Sequence, residues 1–155
     1  GFRMGYLLTK DHDLLRNIST AKEAADLHTN VFAQYVIHDY LMHNELDEHL
    51  TKIRELYRSQ ARAMVDAMKE FFPYGVEFTI PEGGMFLWVT LPEGIFAMDL
   101  FDKALEQNVA FVPGDPFYAE GGKRSTLRLN FTNADEETIR SGIKRLAEVI
   151  EAELA

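Results

Sequence analysis

One stretch constrains this chain more than any other. Leu46, Leu50, Ile53, Tyr57, Met64, Met68 and Phe71 recur at steps of three, four or seven residues, the spacing that gathers side chains on one face of an α-helix. The opposite face carries Glu48, Lys52, Arg54, Glu55, Arg58, Arg62, Asp66 and Lys69. Such a helix must bury one stripe and wet the other, so it needs a partner layer. Asn44, three residues before Asp47, forms a variant of the capping box at its start. Pro73 and Gly75 close its end.

After this helix the hydrophobic period drops to two. Val76, Phe78 and Ile80 alternate with Glu77 and Thr79, and Gly83-Gly84 turns the chain into a second strand over Met85–Leu91. The pattern then predicts a helix over Phe96–Gln107 and a short buried strand over Val109–Val112, ended by Pro113-Gly114. A strand over Thr126–Phe131 follows, and then a final helix carrying Ile139, Ile143, Leu146, Ile150 and Leu154, with Asn133 and Glu136 as its capping box. The order α, β, β, α, β, β, α implies an α/β domain of the α+β kind, a mixed sheet covered by helices.

Residues before the long helix are less self-sufficient. Met4–Thr9 reads as a short strand, Asp11 as the cap of a helix running to about Ile18, and Thr29 or Asn30 as the cap of a helix over Val31–His43. That last helix is apolar on most sides, as a helix buried on several faces would be. Two blocks are therefore expected, residues 1–43 and 44–155, with the long helix joining them. The chain opens on Gly1-Phe2-Arg3-Met4-Gly5-Tyr6, which reads as a strand entered part-way, as in a piece of a larger protein.

Composition narrows the chemistry. A formal net charge of -9 disfavours general binding to nucleic-acid phosphates. Absence of cysteine excludes disulfides, thiolate metal sites and a cysteine nucleophile. No apolar run reaches the ~18 residues of a membrane span. The composition fits a cytoplasmic protein. His38 and His43 are five apart and His43 and His49 six apart; neither spacing puts two imidazoles on one helix face, so no metal site is expected. Gly83-Gly84 and Gly121-Gly122 lack the spacing of a phosphate loop and read as turns. Arg54, Arg58 and Arg62 recur at helical spacing among acidic neighbours and read as a solvated face.

Two arginines stand apart. Alternation along Thr126–Phe131 sends Leu127, Leu129 and Phe131 to one face and Arg128 with Asn130 to the other. A guanidinium in mid-sheet needs a partner, and a carboxylate can meet it at two points. An internal ion pair and a ligand carboxylate are both open from position alone. Arg3 sits beside an apolar segment, where a cation could meet a phosphate; position alone favours a surface ion pair.

Taken together, these segments resemble the fold-type I (class I/II) pyridoxal-phosphate-dependent aminotransferases. The ordered matches are the Arg3 segment, Ala24–Asn30, Pro81-Glu82-Gly83-Gly84-Met85-Phe86-Leu87-Trp88-Val89, Val109–Gly114 followed by Phe117, and Leu127–Phe131. The resemblance implies that Arg3 binds the cofactor phosphate. It implies that Arg128, with Asn130, holds the substrate's α-carboxylate, and that Thr29 and Asn30 approach the partner subunit's site in a homodimer. The substrates would be an amino acid and a 2-oxo acid. Asp26-Leu27-His28-Thr29 resembles the 2-aminoadipate/kynurenine aminotransferase branch. No Arg or Lys lies between Lys22 and Lys52, so the side-chain clamp of aspartate-type enzymes is missing. The family's Schiff-base lysine precedes the Arg3 motif, and neither Lys10 nor Lys22 stands in its place. No catalytic residue is therefore expected in these 155 residues. On this reading residues 1–43 end a large cofactor-binding domain and residues 44–155 are the linking helix and small C-terminal domain, inactive alone. Two alternatives remain: the aminotransferase-like effector domain of a winged-helix transcriptional regulator, and a non-catalytic α/β interaction domain.

Overall fold

The computed structural model describes residues 1–122 and 124–154 and divides into two units, residues 1–50 and residues from 51 on. The first holds helices α1 (His12–Asp26) and α2 (Val31–His43) and the start of α3 (Leu46–Phe71). Asp11 caps α1, its Oδ1 accepting from the N–H groups of Asp13 and Leu14 at 2.9 and 3.0 Å. The helix does not stop near Ile18 as expected but runs to Asp26. Its second half is rich in alanine, the best helix former, and Lys22 pairs with Asp26 one turn on at 2.7 Å. Asn30 caps α2 through Ala33 N–H at 3.1 Å. Asn44, expected to open the long helix, terminates α2 and donates from Nδ2 to the Tyr40 carbonyl at 2.9 Å.

The strand expected over Met4–Thr9 does not form. Residues 1–9 have no regular secondary structure, and Tyr6 and Leu8 are each 92% exposed. Strand propensity is local, but a strand's N–H and C=O groups need a neighbour's ladder. Residues 1–50 contain no other strand.

The second unit follows the predicted order: β1 (Glu77–Phe78), β2 (Phe86–Thr90), α4 (Ala97–Glu106), β3 (Val112–Pro113), β4 (Thr126–Asn130) and α5 (Glu136–Leu154), with a 3₁₀ turn at Asp115–Phe117 between β3 and β4. The sheet order is β1-β2-β4-β3. All three pairings are antiparallel, where a mixed sheet was expected. The reason lies in the order: β4 inserts between β2 and β3, so the crossover through α4 never places its two strands side by side. The edge strands are shorter than predicted because each has one neighbour. Pro113, which lacks an N–H, is tolerated at such an edge.

One face of the sheet is the core. Leu87, Val89, Leu127 and Leu129 are buried together with Met64 and Met68 of α3, Leu100 of α4, and Ile143, Leu146 and Ile150 of α5. Full burial of each such side chain stabilises by about 1.5–3 kcal/mol. The second half of the long helix buries Met64 and Met68 of the predicted stripe against the sheet and α5, with Tyr57 and Phe71 partly buried beside them; Leu46, at its start, is exposed. The predicted Asn133–Glu136 box is replaced by Asp135, whose Oδ1 accepts from Thr138 N–H at 2.8 Å. Among the described residues, no helix is long and apolar enough to cross a membrane.

Candidate functional site

The sheet's other face carries the candidate site. Alternation along β2 and β4 brings Phe86, Trp88, Arg128 and Asn130 to the side away from the core. In register, Trp88 stands opposite Arg128 and Phe86 opposite Asn130. Arg128 is only half-buried. Its guanidinium carbon lies 4.0 Å from the Phe86 ring centre and 4.8 Å from that of Phe117. Phe117 comes from the 3₁₀ turn and meets Trp88 edge-on at 5.5 Å. Trp88 meets Tyr118 at 6.4 Å, and the Tyr118 hydroxyl lies 3.2 Å from Thr126 Oγ1.

Of the two partners open to Arg128 from position, the internal one is not made. Among the described residues, the Arg128 side chain forms no ion pair or hydrogen bond; aromatic rings flank it instead. Arg128 is among the residues lining a groove of ≈ 470 Å³, together with Met64, Phe86, Leu129, Asn130 and Ile143. Asn130 is brought beside it but is partly committed. Its Oδ1 accepts from Thr132 N–H at 2.7 Å and from the Thr132 hydroxyl at 2.8 Å. The remaining Asn130 group is an amide NH₂, a donor suited to an oxyanion.

The ring neighbours of Arg128 were not legible as such. Phe86 and Phe117 lie far apart in sequence, and only the register of β2 with β4 and the turn after β3 brings them to one guanidinium. The available signal was the alternation that placed Phe86 and Arg128 on comparable faces of their strands.

Arg3, in the first unit, is exposed with φ 57° and makes no ion pair or hydrogen bond among the described residues; the surface ion pair favoured by its position is not made. A lone exposed cation is a point charge in water, not a phosphate cradle. The described residues do not by themselves fit a bound pyridoxal phosphate. Thr29 and Asn30 serve local structure: Asn30 caps α2, and the Thr29 carbonyl accepts from Gln34 Nε2 at 3.0 Å. Arg54, Arg58 and Arg62 are exposed and line a cleft of ≈ 610 Å³ with Ile80, Gly83 and Phe131. Among the described residues no cluster of His, Asp or Glu could hold a metal ion.

The "Aminotransferase class I and II" family model matches residues 1–146. This chain belongs to that family. A curated relative, aromatic-amino-acid aminotransferase 1 of Thermococcus litoralis, is 47% identical over 99% of this chain and 37% of its own length. The solved kynurenine aminotransferase of Pyrococcus horikoshii, in complex with PMP, superposes with a TM-score of 0.82 at 47% identity, over 94% of this chain and 36% of that one. The alpha-aminoadipate aminotransferase of Thermus thermophilus, complexed with N-(5'-phosphopyridoxyl)-L-leucine, gives a TM-score of 0.80 at 43% identity, over 92% and 36%. A helix-turn-helix-type transcriptional regulator of Escherichia coli is 24% identical over 97% of this chain and 32% of its own length. The chain thus spans little more than a third of the aminotransferases it matches. Its fold is that of their C-terminal part.

Proposed function

We propose that this chain is the C-terminal part of a pyridoxal-phosphate-dependent aminotransferase, and that its own contribution is to hold the substrate's α-carboxylate on Arg128. One observation carries the reading: Arg128, half-buried in mid-sheet, spends none of its guanidinium donors on the described protein. Arginine's planar fork matches a carboxylate at two points. The Asn130 amide beside it supplies a further donor. Fixing the carboxylate orients the amino acid's Cα. The cofactor that the family implies would act there as an electron sink; none of the lysines in these 155 residues stands at the family's lysine position, and no step is assigned to this chain beyond binding.

The finer assignments belong to the same reading. Residues 1–43 would end the larger cofactor-binding domain, with Arg3 toward the cofactor phosphate, and residues 44–155 would form the linking helix and small domain. Exposure of Phe32, Tyr35 and Met42 on α2 supports this, since a helix so apolar is built to be covered. Thr29 and Asn30 would approach the partner's site in a cytoplasmic homodimer. The aminoadipate and kynurenine enzymes above indicate a broad amino-acid and 2-oxo-acid substrate class. The regulator reading has the much lower identity in its disfavour.

Titrating 2-oxoglutarate into the ¹⁵N-labelled chain tests the assignment. Side-chain N–H signals of Arg128 are expected to shift and saturate, and Arg128→Leu to abolish the response. An unchanged Arg128 signal would overturn it. With pyridoxal phosphate and an amino donor added, the chain alone is expected to form no 2-oxo acid; turnover would show that a lysine within it serves.

A further inference from the structure

We infer that Phe86 and Phe117 are positioning residues for Arg128: they order its guanidinium through their rings and leave its donors free for the ligand. The inference rests on the reading of Arg128 as the carboxylate-binding group.

A long side chain on an open sheet face is ordinarily mobile, and binding through it must first order it. Most ordered arginines are held by carboxylates or carbonyls, which occupy the N–H groups a ligand would need. Here the contacts are rings, 4.0 Å and 4.8 Å from the guanidinium carbon. A ring attracts the cation electrostatically without accepting a conventional hydrogen bond.

The rings are themselves anchored to the strand that carries Arg128. Phe86 lies on β2, paired with Asn130 two residues along β4. Phe117 is fixed through its backbone: its N–H donates to the Gly114 carbonyl at 2.9 Å, and the Gly114 N–H donates to the Thr126 carbonyl of β4 at 2.7 Å. Its ring is braced edge-on by Trp88. The guanidinium is therefore bracketed by two elements hydrogen-bonded to its own strand. A site built this way keeps its geometry before the ligand arrives.

The test uses the 155-residue chain and two readouts. The first is the ¹⁵N heteronuclear NOE of the Arg128 Nε–H, a measure of picosecond-to-nanosecond order, which needs no ligand. Arg128 is expected to be more ordered than Arg16, whose side chain is 77% exposed. The double variant Phe86→Leu/Phe117→Leu is expected to lower the Arg128 value to that of Arg16, and the tyrosine pair Phe86→Tyr/Phe117→Tyr to restore it. Backbone amide spectra establish that each variant is folded. The second readout is the Kd for 2-oxoglutarate, expected to rise about three- to tenfold in the leucine pair and to return in the tyrosine pair. Unchanged order and affinity in the leucine pair, with Arg128→Leu abolishing binding, would overturn the inference and leave the carboxylate reading standing. No binding by the unmodified chain would sink that reading, while the order measurement would still decide whether the rings position Arg128.

Discussion

Gly114 donates its backbone N–H to the Thr126 carbonyl at 2.7 Å, at a point where no side chain could follow. A Cβ on residue 114 would lie 2.1 Å from Thr126 Oγ1 and 2.7 Å from the same carbonyl oxygen. Neither atom can step aside cheaply. The carbonyl is part of β4, and the hydroxyl meets that of Tyr118. The Pro113-Gly114 pair, read in the sequence as a strand terminator, is also the contact that docks the 3₁₀ turn against β4.

Gly114→Ala is therefore expected to destabilise the second unit by about 1–3 kcal/mol, the usual cost of overpacking. Gly142→Ala provides the opposite sign. Gly142 lies inside α5, and an added Cβ there meets nothing within 4 Å. Replacing a helical glycine by alanine stabilises by roughly 0.5–1 kcal/mol. Urea midpoints of both variants check the pair; equal and small effects would show that residue 114 has more room than the structure gives it.

What could be read in advance followed from periodicity. The face of α3 that buries Met64 and Met68 is the one its spacing indicated, and alternation separated Leu127 and Leu129 from Arg128 and Asn130. What could not be read depended on distant residues. The cap of α5 shows the limit at short range: Asn133 with Glu136 and Asp135 with Thr138 both offer a polar side chain three residues from a possible partner, and only the path of the chain leaving β4 selects Asp135. At longer range, nothing local to Arg128 announces Phe86 or Phe117. Residues 4–9 are the opposite case, a strand-like segment with no ladder to join.

That segment yields a contrast. Leu8→Ala is expected to change stability by no more than about 0.5 kcal/mol, because Leu8 is 92% exposed. Leu127→Ala, at 0% exposure on the core face of β4, is expected to cost about 2–5 kcal/mol through lost burial and a residual cavity. Chemical denaturation followed by circular dichroism reports both. A large loss from Leu8→Ala would mean that residues 1–9 are packed as the sequence suggested.

The α5 cap ties stability to acid pH. The Thr138 N–H, and then its hydroxyl, hydrogen-bond the Asp135 carboxylate and hold its pKa below the ordinary 3.8. These donors, at a helix N-terminus, favour the charged form. A folded pKa below the unfolded one means that the folded state binds fewer protons in this range. The cap's contribution is thus complete above the unfolded value and is lost as pH falls through the folded one. Glu70 adds to the same trend: a hydrogen bond from the Arg140 side chain holds its carboxyl below the ordinary 4.5. Asp135→Asn keeps an oxygen that can accept from Thr138 but removes the titration. Between about pH 5 and about pH 2, its stability should fall less steeply than that of the unmodified chain. Glu70→Gln should flatten the same curve starting from a slightly higher pH. Urea midpoints measured across that range decide it; an Asp135→Asn curve parallel to the unmodified one would show that the Thr138 hydrogen bonds do not distinguish the charged carboxylate from the neutral amide.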